Sequence, residues 1–262
     1  MTATERAVLG RPLPPDAAAE DVVVGMRQIG AETLLGPADG TTRMGVVLGL
    51  VSAAVPCRGA QLVALDWAEQ SAATPEDRVH LVSTVVRHGP EGRDAARLVT
   101  DLRLVDAAGV EVQRGRARWR VPSVNLAGQD DRARVAFELG SVAWGRRIGE
   151  RLAGNAAFRS TTTPFDGAIG FSCGTDEVNF RVYRGSIVEV ARKAVDGPTF
   201  TIDAPELTWL ELLTVPTNDY FRRTMTGSFK VRGNGFQYVR MIKAVMLILD
   251  EARAEVAEVL HA

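Results

Sequence analysis

The chain has 262 residues, of which 46% are hydrophobic and 24% charged, and its formal net charge is −1. Such a chain supplies two cores of roughly 120 residues each, and its near-zero charge excludes a global field for nucleic acid or anionic membrane, leaving any such attraction to local patches. Two distant cysteines, Cys57 and Cys173, and the lack of any Cys/His cluster at ligand spacing exclude a disulfide framework and give no sign of a metal or a cofactor.

Residues 1–20, with Pro12, Pro14 and Pro15 and an Ala-rich tract, read as a loosely packed leader. Its acids (Glu5, Asp16, Glu20, and Asp21 just beyond) do not fit a secretory signal, so the expected setting is cytoplasmic. A first domain is expected over 21–124. It opens with a strand near 22–35, the turn Gly36-Pro-Ala-Asp-Gly40 and a helix over 43–55 that is hydrophobic nearly all round. At that length the pattern predicts a helix enclosed by a sheet, and one too short to span a bilayer. Strands follow at 61–67, 79–88, 95–106 and 110–121, the middle pair separated by the turn His88-Gly-Pro-Glu-Gly92. In the last strand Arg114, Arg116, Arg118 and Arg120 alternate with Gly115, Ala117, Trp119 and Val121. The arginine side is expected to be wet and positive, either a local anion site or a solvated face paired with acids.

Residues 125–135 break every periodicity and read as a linker, with a second domain over 136–262. The pattern there predicts a helix near 141–153 and strands at 168–173, 177–183, 186–193 and 198–203. Asp203 and Glu206 have the spacing of a capping box, and Pro205 suits a first turn, which predicts a helix over 204–213. A helix near 217–225, a strand at 227–232, the turn Gly233-Asn-Gly235 and a long helix over 237–259 complete the series. In that last helix Val239, Ile242, Val245, Met246 and Leu249 fall at helical spacing.

The order and pattern of 22–121 resemble the hotdog family, in which a long sheet curls around one helix, and are most similar to its thioesterases of the phenylacetate-pathway type. In those enzymes the helix opens with His-Gly-Gly and carries an Asp seven residues later. Here the opening is Arg43-Met44-Gly45 and the corresponding residue is Ser52. A carboxylate at that position would serve as base or nucleophile while amides at the helix start polarise the thioester, and an unassisted hydroxyl is a poor replacement. The Asp-x-Asn-Pro-x-His-like segment of the family's hydratases has no counterpart in the chain, and His80 and His88 read as structural.

The second half, over roughly 135–250, resembles the sterol carrier protein type 2 family. The resemblance rests on Val178-Asn-Phe-Arg-Val-Tyr183, Phe200-Thr-Ile-Asp-Ala-Pro-Glu-Leu-Thr-Trp-Leu210 and Gly227-Ser-Phe-Lys-Val-Arg-Gly-Asn-Gly235. It implies an apolar tunnel, and Phe180, Trp209, Leu212, Phe221, Met225, Phe229, Met241 and Met246 are the candidate lining.

The expected whole is an α+β protein, a single hotdog domain followed by a sterol-carrier-type domain, paired as a homodimer or higher homo-oligomer. It would bind or transfer a hydrophobic acyl, acyl-CoA or sterol-like ligand, with Arg43 and Gly45 as contacts in the first domain. An acyl-CoA thioesterase using Ser52 is the enzymatic alternative, and a non-enzymatic assembly module is the third. A nucleic-acid partner and an integral membrane segment are not expected.

Overall fold

Alternating apolar and polar side chains along four long strands build the first of two sheets. The computed structural model describes residues 9, 11–14, 17–19, 22–35, 40–69, 78–90, 95–122 and 131–261. Most of the expected linker and the tips of the turns after 35 and 90 lie outside them. The chain is mixed α+β and divides into two units, Met1–Gly128 and Gln129–Ala262. Among the described residues no helix is long and apolar enough to cross a membrane.

In the first unit the elements run β1 (Arg27–Ile29), β2 (Thr33–Leu34), α1 (Gly40–Ala53), β3 (Gln61–Glu69), β4 (Arg78–Pro90), β5 (Ala95–Asp106) and β6 (Glu111–Pro122). The antiparallel sheet is ordered β1-β4-β5-β6-β3, with β2 also on β4. The strand that follows the helix therefore ends at the sheet edge. Leu81, Val85, Leu98, Leu102, Ala117 and Trp119 form one core with Val47, Val51 and Ala54 of α1. Trp119 enters it because its indole N–H donates to Thr100 Oγ1 at 2.9 Å. Gly115 faces Trp67 across the strands, where a Cβ would stand 2.1 Å from the indole ring.

Three expectations change here. The strand near 22–35 is two short strands, since Gly30 and its neighbours interrupt the ladder. The described part of the leader is packed: Leu13, Ala17 and Ala19 are buried in the core, and Leu13 N–H donates to Arg27 O at 2.9 Å. The arginine row is only partly wet. Arg114 is held by Asp101 at 2.7 Å, Asp101 itself is buried, and only Arg120 of the four is exposed.

The second unit contains α2 (Asp131–Ala136), α3 (Val142–Leu152), α4 (Ala156–Thr162), β7 (Asp166–Cys173), β8 (Asp176–Tyr183), β9 (Ser186–Ala191), β10 (Phe200–Ala204), α5 (Glu206–Thr214), α6 (Tyr220–Met225), β11 (Lys230–Gly233) and α7 (Gly235–His261). Its sheet is ordered β11-β10-β7-β8-β9, parallel only between β10 and β7. One sheet side carries Ile169, Phe171, Val178, Phe180, Phe200 and Ile202 into a core shared with α3, α5 and α7. Helix α3 lies flush on the sheet at Gly145, where a Cβ would come 2.6 Å from Val190 and 2.8 Å from Val178.

Helix α4, absent from the sequence reading, starts at Asn155, whose side chain accepts from Phe158 N–H at 3.0 Å. The expected capping box does not form. Asp203 is instead a strand residue opposite Lys230, and Pro205 is the N-cap without a side-chain bond. In α7 the buried stripe is Met241, Ala244, Val245, Ile248, Leu249, Ala252 and Val256, rotated from the one expected, so that Val239 is exposed.

Candidate functional site

Helix α1 is not enclosed, contrary to its composition. Val47, Val51 and Ala54 face the core, while Met44 (42% exposed), Gly45, Leu48 (43% exposed), Gly49, Ser52 and Ala53 face outward. No charged residue lies on that outward side, which is unusual for a helix half open to solvent. The glycines make a recess in it: a Cβ at Gly45 or Gly49 would meet nothing within 4 Å. Beside it in the chain, β3 exposes Leu62 and Val63 and, among the described residues, pairs on one side only, with β6.

The structure thus brings Gly45 and Ser52 to one open face, two turns apart, and puts the half-buried Arg43 toward its start, on the flank nearer the core. The Ser52 hydroxyl has no hydrogen-bond partner outside its own helix among the described residues. His88, read from the sequence as structural, is buried, and its Nδ1 donates to Val22 O at 3.0 Å. Burial, offset in part by that bond, lowers its pKa below 6.5 and keeps the ring neutral. What the face offers chemically is apolar contact and one hydroxyl, without an activating group.

Neutral His88 has a measurable consequence. Because its folded pKa is lowered, the unfolded chain binds more protons below pH 6.5. Its contribution to stability is therefore full above 6.5 and declines as the pH falls from 6.5 towards the lowered value. Urea midpoints taken from neutral pH down to about 5 should show that loss, and His88→Asn should flatten this part of the profile.

The tunnel candidates separate into two groups. Phe180, Trp209, Leu212, Phe229 and Met241 are brought together in the second core, with Met246 partly buried against it. Phe221 and Met225 point away from it to the surface. The interior is dense with aromatic edges: Trp209 lies 4.6 Å from Phe229 and 6.0 Å from Phe171, and Phe180 5.6 Å from Phe171. Sequence reasoning missed Tyr220 and Tyr238, whose hydroxyls meet at 3.0 Å inside this core. Burial, then the Tyr238 hydrogen bond, pushes the Tyr220 phenol well above its usual range. Both tyrosines stand one or two residues from exposed aromatics, so only a finer helical phase would have identified them.

A cleft of about 440 Å³ opens on the other side of this unit, lined by Asp166, Arg181, Glu189, Asp196 and Thr199 among others. It is polar, and Arg181 is already held by Asp166 and by the carbonyls of Gly167 and Val182 at 3.2 and 2.7 Å.

No family model matches the chain, and no curated protein matches it. Among solved structures it is similar to sterol carrier protein 2, with 18% identity over 44% of this chain and 98% of that one and a TM-score of 0.38. It is also similar to the unliganded R-hydratase PhaJ1 from Pseudomonas aeruginosa, with 12% identity over 40% and 86% of the two chains and a TM-score of 0.35. A MaoC-like dehydratase from Rhodospirillum rubrum gives 18% identity over 41% and 97%, with a TM-score of 0.34.

Proposed function

We propose that the chain binds a hydrophobic acyl, acyl-CoA or sterol-like ligand in a cytoplasmic setting, as a homodimer that joins at its first unit. In this reading the first unit is a single hotdog domain and the second a sterol-carrier-type domain. The observation that carries the proposal is the outer side of α1, where six uncharged residues with two open glycines stand exposed on a helix. An apolar helix side of this kind calls for cover. A second copy supplies it through an isologous contact that also pairs the free β3 edges, and the glycine recess leaves room at the seam for an acyl chain. Arg43 at the start of the helix suits the anionic end of such a ligand. Binding is favoured over hydrolysis because Ser52 lacks an activating partner.

Sedimentation velocity of the full chain should give a dimer, and Leu48→Arg should weaken it roughly a hundredfold by placing a charge in the contact. Titration with a fluorescent fatty acid and with a long-chain acyl-CoA should show saturable binding that Leu48→Arg diminishes. A monomer that binds neither probe would refute the proposal. Release of free thiol from acyl-CoA that Ser52→Ala abolishes would replace it with the hydrolytic reading.

A further inference from the structure

We infer that the surface made by α6 and the first turns of α7 docks on an anionic lipid bilayer. This inference does not rest on the ligand reading above.

From Tyr220 to Lys243 the chain has six cations (Arg222, Arg223, Lys230, Arg232, Arg240 and Lys243) and no carboxylate, in a protein whose net charge is −1. The acids of α7 come only later, at Asp250, Glu251, Glu255 and Glu258. Large apolar side chains stand exposed among these cations: Phe221 (56%), Met225 (74%), Phe236 (70%) and Val239 (66%). The elements are tied together from inside. Tyr220 of α6 and Tyr238 of α7 share a hydrogen bond, and Phe229, just before β11, packs 5.1 Å from Tyr220. Their outward residues are the sequence neighbours of those inward ones. Phe221 and Met225 are one turn apart on α6, and Phe236, Val239 and Lys243 follow one side of α7.

Not every cation is available. Arg222 and Arg223 are held by Asp219 at 2.6 and 2.8 Å, Arg223 also by Glu211, and Arg232 lies 3.7 Å from Asp203 and 3.9 Å from Glu177. Lys230 and Arg232, in register with Asp203 and Thr201, lie on the sheet side away from α7, since Phe200, Ile202 and Val231 face it; Arg240 and Lys243 have no carboxylate partner among the described residues, and Arg240 stands over the Phe236 ring at 5.7 Å. Exposed aromatic, methionine and valine side chains interleaved with unpaired cations suit a headgroup layer. The apolar groups enter at the acyl boundary while the long basic side chains reach the phosphates. A second copy is a poor occupant, because an isologous contact would set this positive surface against itself.

Co-sedimentation of the full chain with vesicles tests the assignment. Binding is expected to phosphatidylcholine vesicles containing phosphatidylglycerol, not to phosphatidylcholine alone, and should weaken as salt is raised. Arg240→Glu with Lys243→Glu should lower partitioning about tenfold or more, and Phe236→Ser with Val239→Ser should lower it comparably. These side chains are exposed, so far-UV circular dichroism and Tm should stay unchanged in both variants. The inference is overturned if anionic vesicles do not carry the protein down, or if either double variant binds as the parent does. It is equally overturned if the charge reversals alter the sedimentation of the free protein and leave vesicle binding intact. Vesicle adhesion is read separately from fatty-acid titration, so the two proposals can fail independently.

Discussion

Trp209→Ala is expected to destabilise the second unit by about 3–5 kcal/mol, read as a lowered urea midpoint and Tm. Trp209 is almost completely buried, packs edge-on to Phe229 and tilted against Phe171, and donates its indole N–H to Ser172 O at 2.8 Å. Alanine removes the ring from a close-packed interior together with its bond to the Ser172 carbonyl, so a cavity penalty and a lost hydrogen bond add together. Trp209→Phe separates the two. It keeps most of the packing and should cost only about 1–2 kcal/mol, chiefly through the lost bond to the Ser172 carbonyl. The pair also bears on ligand binding in this unit. A side chain bordering an already vacant tunnel would be removed at little cost, so a near-neutral Trp209→Ala would contradict the packed interior described above.

The second large effect is expected at Glu255. Its side chain is 1% exposed and receives Arg132 at 2.8 Å from α2 and Arg147 at 3.0 Å and Arg151 at 2.8 Å from α3. These contacts fasten two helices to α7. Glu255→Ala leaves an apolar gap and takes the buried carboxylate from three partly exposed guanidinium groups, which keep only Glu258, Glu150 and Glu251, and should cost about 1.5–3 kcal/mol after solvent screening of those groups. Burial alone would raise the Glu255 pKa, but hydrogen bonds from Arg132 and Arg147 outweigh it and hold the group at about 2, against an ordinary 4.5. A lowered carboxyl pKa means that the unfolded chain takes up the proton first on acidification. The Glu255 contribution is therefore complete above about pH 4.5 and is lost as the pH falls from there to about 2. Denaturant midpoints across that range should show an acid limb in the parent that Glu255→Gln largely removes. An unchanged limb would mean that other carboxylates carry it.

Much of the fold was legible residue by residue. Val79, Leu81, Leu98, Leu102, Trp119 and Val121 alternate along strands whose limits fall within a few residues of those expected, because a two-residue period survives whatever lies on the far side. Asn155 carries an N-cap signal, but the Ser and Thr run after it weakens the helical pattern. Asp203 shows the opposite failure: a capping spacing was present, but pairing of β10 with β11 claimed the residue first.

The candidate site was legible in composition and not in geometry. Gly45 and Ser52 were recognisable as residues of an apolar helix, yet nothing local distinguishes its Val47 side from its Leu48 side. Tyr220 and Phe221 differ by one step of about 100° around a helix, and that step alone separates a buried hydroxyl pair from an exposed ring.

The amino-acid sequence by itself determined which segments form strands and helices, the two apolar cores and the charge-poor face of α1, because periodicity, composition and local hydrogen bonding are properties of neighbouring residues. The tertiary structure alone decided that this face stays open, that the tunnel candidates divide between core and surface, and that three arginines converge on Glu255. Those outcomes depend on which distant elements meet and how each helix is rotated when they do, and no short-range pattern contains that information.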